Sequence, residues 1–409
     1  IGWNQPVSEV LAGFEMATPY ATEWMHSRDL LAHRAGFEGF FGDLFDHLGY
    51  SRSDVLGRIR YVEPGYSFRD HPEYSNLGFF VAGEAAARAN GSTFEELVAE
   101  KVTGPLGMTR TGRASVLLGG DDANVSGHHQ ILDGEVVEIP KANLSDVFVA
   151  AGGLASSAAD LSRYLEMLLA EGEFEGREVL TADNVAELFE PVIADAPGFA
   201  EFPPIGAGSG FDYSPGWGIY HYAGRRIVEK GGALDGIRTV LVVVPEAGLG
   251  IAVLANLNLT AFPEAVRAGI LQRALGQPGE ASLQPAIRRQ ADGIQEMLMA
   301  PEEAPTDPKP IPRPLEDYVG TYTNDLYGTW RIELNSGPDP GEVPLIVLAG
   351  AAGYRGTVVP WDGDEMRVSW PIVINVPTEI KFGDGRFTYR GYAFVRSGET
   401  AGIVGGDVE

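Results

Sequence analysis

Two short motifs hold the side chains best placed for chemistry. Tyr74-Ser75-Asn76 follows Pro72 and opens an apolar run, Leu77-Gly78-Phe79-Phe80-Val81-Ala82. Lys230-Gly231-Gly232-Ala233 closes a strand-like stretch. Together they offer a phenol, a hydroxyl, an amide and an ammonium, groups that carry protons and donate hydrogen bonds. Taken singly, neither motif is specific: the first reads as a helix cap, the second as a surface lysine paired with Glu229 before a glycine turn. Other signatures of chemistry are absent. No serine has glycine at both −2 and +2, so there is no nucleophile elbow. His128 and His129 are adjacent, which points their rings apart, and HExxH does not occur. No GxxxxGK[ST] supports a nucleotide phosphate, and the absence of cysteine removes thiolate catalysis and zinc–sulfur sites. Nothing in the chain asks for a metal or another cofactor.

The elements that must position these residues are readable from pattern. The chain has 409 residues and a net charge of −27, which argues against nucleic-acid or acidic-membrane partners. Its longest apolar runs, Val240–Val244 and Ile251–Ala255, are strand-sized, so no membrane span is expected. Capping boxes at Ser92-Thr93-Phe94-Glu95-Glu96 and Ser157-Ala158-Ala159-Asp160 start helices, the second with Leu161, Tyr164, Leu165 and Leu168 on one face. Arg226–Lys230, Gly236–Pro245 and Leu249–Leu254 read as an antiparallel meander, followed by a helix from Pro263 to Leu275. Helices beside an antiparallel sheet make an α+β fold. A further helix (Pro285 to Met299) leads to a linker with Pro301, Pro305, Pro308, Pro310, Pro312 and Pro314. From Leu315 onward short alternating runs, among them Trp330–Leu334, Leu345–Leu348, Arg367–Ile374 and Arg386–Arg390, predict about seven strands in a small antiparallel barrel or sandwich. The expected boundaries are residues 1–276, a connector over 277–314, and 315–409.

In this order and context the two motifs together resemble the second and third motifs of the serine β-lactamase and penicillin-binding-protein superfamily, most closely its class C β-lactamase, D-aminopeptidase and esterase branch. Ser27-Arg28-Asp29-Leu30-Leu31-Ala32-His33-Arg34-Ala35-Gly36-Phe37 is similar to the family's "RDLLxHxSGL" stretch. Ala151-Gly152-Gly153-Leu154-Ala155-Ser156-Ser157 is similar to "AGGLxST", and Gly232 through Asn256 to its closing strands. The C-terminal part resembles a lipocalin-like domain appended to some members. The resemblance implies a β-lactamase-like sheet flanked by helices and the following roles. Tyr74 would act as the base, its phenol lowered from ~10 by the neighbouring Lys230 ammonium. Asn76 would hold a second lysine and the substrate amide, Ala233 would give an oxyanion-hole N–H, and Gly231 and Gly232 would border the substrate. His33 is expected to be structural.

The family's first motif, Ser-x-x-Lys, is missing: no serine here has lysine three residues later. The chain starts with Ile1, so the favoured expectation is that this segment lies on a separate fragment or was omitted. The alternatives are a non-catalytic binding module, a promiscuous carboxylesterase, or Ser75 or another serine of this chain as nucleophile. The third motif reads Lys-Gly-Gly, lacking the threonine that helps hold a β-lactam carboxylate. The expected reaction is therefore hydrolysis of a small peptide, amide or ester through an acyl-enzyme. The family favours a periplasmic or secreted location over a cytoplasmic one; the chain itself fixes none.

Overall fold

The computed structural model describes residues 1–120, 124–132, 134–141, 146–196, 210–258, 260–276, 281–299, 302–337, 341, 343–371 and 377–397. The chain divides into two compact units, Ile1–Asp43 with Val62–Met297, and Leu44–Tyr61 with Leu298–Glu409.

The first unit is built on an antiparallel sheet. Its strands are β1 (Asp212–Tyr213), β2 (Gly218–Tyr222), β3 (Arg225–Leu234), β4 (Ile237–Val244) and β5 (Leu249–Ala255), in the order β5-β4-β3-β2-β1. The sequence pattern showed β3, β4 and β5; β1 and β2 escape it because β1 is two residues long and β2 is Gly-Ile-Tyr-His-Tyr, too short to show a period. Ala223 and Gly224 turn between β2 and β3 with φ of 49° and 74°, the left-handed pair that matches the twist of a two-residue hairpin.

Both faces of the sheet are covered, which is why its central strands are nearly all aliphatic. On one face Ile219, Val228 and Val243 meet Leu165 and Leu168 of helix α3 (Ala158–Leu169) and Val185 of α4 (Ala182–Leu188). On the other, Ile227, Val240, Val242, Val244, Ile251 and Val253 pack with Leu271 of α5 (Phe262–Leu275). Two ion pairs, Arg238–Glu264 and Arg267–Glu229, join sheet and helix on that side.

Two further helices carry the first motif and the segment before it: α1 (Ser27–Leu31) and α2 (Asn76–Asn90). Helix α2 ends at Gly91 in the left-handed conformation, a common helix stop. It approaches α1 so closely that a Cβ on Gly78 would lie 2.7 Å from the Leu30 carbonyl oxygen. Helix α1 is pinned by Asp29, 1% exposed, whose carboxylate pairs with both Arg34 and Arg69. Burial works to raise the Asp29 pKa, but the hydrogen bonds from Arg69 and Arg34 outweigh it and hold the carboxyl below its usual value.

The second unit holds a closed eight-stranded antiparallel barrel. Each strand pairs with the next from β6 (Gly320–Asn324) through β7 (Gly328–Leu334), β8 (Leu345–Ala349), β9 (Tyr354–Asp362), β10 (Glu365–Ser369), β11 (Thr378–Gly383) and β12 (Arg386–Tyr389) to β13 (Tyr392–Arg396), and β13 closes on β6. The expectation of about seven strands is thus one short. The run expected to continue to Ile374 is a strand only to Ser369, and Ile372–Ile374 lie outside the described residues, as do Pro301 and residues 398–409. Residues 302–314 carry neither helix nor strand, as their prolines require. The barrel core includes Trp330, Phe387 and Phe394, each at most 1% exposed, in mutual ring contact. Leu44–Tyr61, to which no sequence signal gave a partner, belongs to this unit through bonds such as Tyr50 Oη to the Tyr327 carbonyl (2.9 Å).

Gly78→Ala tests the α1–α2 contact. Alanine favours a helix by about 1 kcal/mol over glycine, yet the clash with rigid backbone is expected to leave a net loss of about 1–3 kcal/mol. Urea unfolding measures it; a more stable variant would contradict the close approach.

Candidate functional site

The α1–α2 contact and the start of the meander bring the two motifs together. Tyr74 lies two residues before α2, and Lys230 sits in β3 on the face that α3 and α4 cover. The Lys230 Nζ is 5.3 Å from the ring centroid of Tyr74, 5.3 Å from that of Phe79 and 5.8 Å from that of Tyr213. Three aromatic faces therefore surround one ammonium, each contributing on the order of 0.5–2 kcal/mol of cation–π attraction.

The hydrogen bond of this ammonium goes elsewhere than the sequence suggested. Lys230 Nζ donates to Tyr213 Oη at 3.1 Å. Against Tyr74 the same ammonium makes a ring-face contact. No sequence signal marks Tyr213, which stands in the two-residue strand β1 and is 4% exposed. Its neighbour in the fold is His33, just beyond α1, whose Nε2 lies 3.2 Å from the same phenol oxygen. The Gly216 N–H, donating to the Leu31 carbonyl at 3.1 Å, ties the turn after Tyr213 to α1.

His33 is 2% exposed and holds the left-handed φ of 59°. Its Nδ1 accepts the Ser75 backbone N–H at 3.0 Å, which leaves the ring hydrogen on Nε2, and its ring lies 4.5 Å from that of Tyr74. Burial, and behind it the Lys230 charge, hold His33 well below its usual pKa, so the ring is neutral. Ser75 is 1% exposed, and its Oγ has no hydrogen-bond partner among the described residues. A hydroxyl so enclosed, with no hydrogen bond to a base, is not equipped as a nucleophile.

Asn76 opens α2. Its Nδ2 donates to both carboxylate oxygens of Asp43, at 3.1 and 3.2 Å, a partner the sequence did not reveal. The amide is thereby oriented with its Oδ1 as the remaining acceptor.

Gly231, Gly232 and Ala233 continue β3 beyond the reach of β2. Strand β2 pairs with β3 only as far as Gly218 opposite Glu229, whereas β4 pairs on to Leu234. The Asp235-Gly236 turn makes Leu234 and Ile237 the closing hydrogen-bonded pair, and pairs alternate from there. The N–H groups of Gly231 and Ala233 therefore point away from β4, toward the edge that β2 has left. An exposed strand edge carrying N–H groups can receive a developing negative oxygen. Among the described residues no group of three or more His, Asp or Glu could hold a metal.

His33 links stability to pH with a definite sign. A histidine whose folded pKa is depressed contributes full stability above its unfolded pKa of about 6.5, and that contribution is lost as pH falls below it, by up to ~1.4 kcal/mol per pH unit for one proton. Comparing thermal unfolding between pH 7.5 and 5, His33→Gln is expected to lose less stability on acidification than the parent. An equal loss in both would show that His33 is not held neutral.

The comparisons with known proteins agree with this architecture. The family model for β-lactamases matches residues 1–275. Among curated relatives, the unguisins hydrolase ungD' of Aspergillus campestris is 26% identical over 63% of this chain and 47% of its own length. The human putative beta-lactamase-like 1 is 29% identical over 59% of this chain and 45% of its own. The chain thus spans about half the length of these two relatives. Among solved structures, the octameric penicillin-binding protein homologue from Pyrococcus abyssi shares the fold with a TM-score of 0.55 at 20% identity, over 97% of this chain and 83% of that one. A D-stereospecific amidohydrolase from Streptomyces sp. gives 0.52 at 18% identity, over 69% and 80%. With a family match that takes in its sheet, its helices and both motifs, the chain belongs to the β-lactamase family.

Proposed function

We propose that this member of a hydrolase family cleaves peptide, amide or ester bonds through a serine acyl-enzyme, with Tyr74, Lys230, Asn76 and Ala233 in the roles of base, cation, amide holder and oxyanion donor. The observation that carries the reading is the half-buried Lys230 ammonium against the Tyr74 ring, one residue from the open N–H edge of β3. An ammonium there favours the ionised form of the nearby phenol, the form that takes a proton from an attacking hydroxyl. The N–H of Ala233 would then meet the tetrahedral oxyanion, a contact worth roughly 2.7–4 kcal/mol in comparable acyl transfers.

The nucleophile in this proposal belongs to a Ser-x-x-Lys segment contributed by polypeptide outside the 409 residues. Three features support it. No serine in the sequence has the required lysine, and Ser75 is enclosed. The Asn76 Oδ1 has no partner among the described residues and is the kind of acceptor a second lysine ammonium needs. Strand β5 also ends the sheet, with its outer edge unpaired among the described residues.

The Lys-Gly-Gly sequence favours linear substrates over β-lactams. Glycine at 231 removes the hydroxyl that would hold a β-lactam carboxylate. The unguisins hydrolase among the relatives is named as a hydrolase, and a structural neighbour as an amidohydrolase, which suits a peptide or amide substrate.

The test uses the protein purified with whatever polypeptide accompanies it. Aminoacyl p-nitroanilides or p-nitrophenyl esters are expected to turn over faster than nitrocefin, and a fluorophosphonate to label a serine followed three residues later by lysine. Tyr74→Phe and Lys230→Ala are each expected to lower kcat/KM by about 10²–10⁴-fold, the range of a lost general base or its activator. Full activity in Tyr74→Phe, or a label on another serine, would overturn the assignment. A binding module without catalysis predicts no label at all.

A further inference from the structure

We propose that Tyr213 is a positioning residue for Lys230: its phenol oxygen, held from behind by His33, fixes the ammonium against the Tyr74 ring. The catalytic consequence rests on the acyl-transfer reading above; the positioning itself does not.

The direction of each hydrogen bond follows from what each group can give. A lysine ammonium only donates, so Tyr213 Oη is the acceptor at 3.1 Å. His33 has its Nδ1 lone pair taken by the Ser75 N–H, so the hydrogen on Nε2 points to Tyr213 Oη at 3.2 Å. One phenol oxygen thus receives two donors. The chain of bonds runs from the Ser75 backbone through His33 and Tyr213 to Lys230, so the first motif fixes the third through two side chains outside both.

Such a hold is needed because of where Lys230 sits. Its four-carbon stem carries ~2 kcal/mol of rotamer entropy, and the strand beyond it is exposed at Gly231. Left to itself the ammonium would swing out to water, as lysines at an edge do. The three rings attract it without fixing its direction. Among the described residues the Tyr213 oxygen is its one hydrogen-bond acceptor. Tyr213 is well suited to this part: it is 4% exposed, and backbone bonds to Ile193 on one side and the pairing with Gly218 on the other hold it in place.

The chain has five lysines, so a 13C-lysine-labelled protein gives few signals, and Lys230→Arg identifies the one at issue. A fixed methylene among three rings shows two separate Hε resonances, displaced by the ring currents; a freely rotating one shows a single averaged resonance. The parent is expected to show the split pair for Lys230, and Tyr213→Phe, which keeps the ring and removes only the oxygen, to collapse it. His33→Leu is expected to collapse it in part, while His33→Gln, whose amide can donate in place of Nε2–H, keeps it. These two variants decide the matter should Tyr213→Phe fail to fold. In turnover, Tyr213→Phe is expected to lower kcat about tenfold with KM within twofold. A split Lys230 pair that survives Tyr213→Phe, or that survives His33→Leu unchanged, would overturn the proposal while leaving the acyl-transfer reading intact. A collapsed pair in an inactive protein would uphold the positioning and count against that reading.

Discussion

The structure turns on one charge, the ammonium of Lys230, kept half-buried in a protein whose overall charge is strongly negative. Withdrawing an ammonium from water costs several kcal/mol unless its surroundings replace the lost hydration. Here the replacement is three aromatic faces and a phenol oxygen. No carboxylate is in ion-pair contact with it among the described residues. A carboxylate would have quenched the field that a neighbouring phenol needs; rings and a neutral oxygen solvate the ammonium and leave most of its charge felt. The same logic explains the neutral His33. A second positive charge beside Lys230 would repel it, and burial together with the Lys230 charge itself forbids one.

The fold supplies the geometry from parts far apart in sequence. Helix α2 sets Tyr74 and Asn76, and its glycine lets it lie directly on the Leu30 carbonyl, which brings the His33 region under the first motif. Strand β3 outruns β2, so the residues after Lys230 present backbone N–H groups on an edge that β2 does not cover. Strand β1, though only two residues long, places Tyr213 between them. The aliphatic faces of the sheet, packed against α3 and α4 on one side and α5 on the other, keep these parts rigid without contributing chemistry of their own.

Much of this was legible in the chain because its signals are local. Capping residues at Thr93 and Ser157 start helices where their side chains accept the orphan N–H groups. The runs Val240–Val244 and Ile251–Ala255 are strands, since only a doubly covered sheet tolerates such stretches. The nearness of Tyr74 and Lys230 was reachable through resemblance alone, because no periodicity relates residues so distant. Tyr213, Asp43 and the attachment of Leu44–Tyr61 to the barrel unit were not legible. Each depends on a tertiary contact made by a residue in a short or irregular segment, where neither a period of 2 nor of 3.6 can develop. The tripeptide Tyr213-Ser214-Pro215 looks like a turn, and only the fold turns its phenol inward.

The claim that this constellation performs acyl transfer is tested most directly by where a transition-state analogue settles. A crystal structure of the protein, isolated with its accompanying polypeptide and reacted with an acylamino-boronic acid, measures the distance from the tetrahedral oxygens to the Ala233 N–H and to the Tyr74 phenol. One boronate oxygen is expected within hydrogen-bond reach of Ala233 and another beside Tyr74, with the Lys230 ammonium still on Tyr213. A boronate bound at any other serine, or a cleft beside β3 that stays empty at saturating inhibitor, would contradict it.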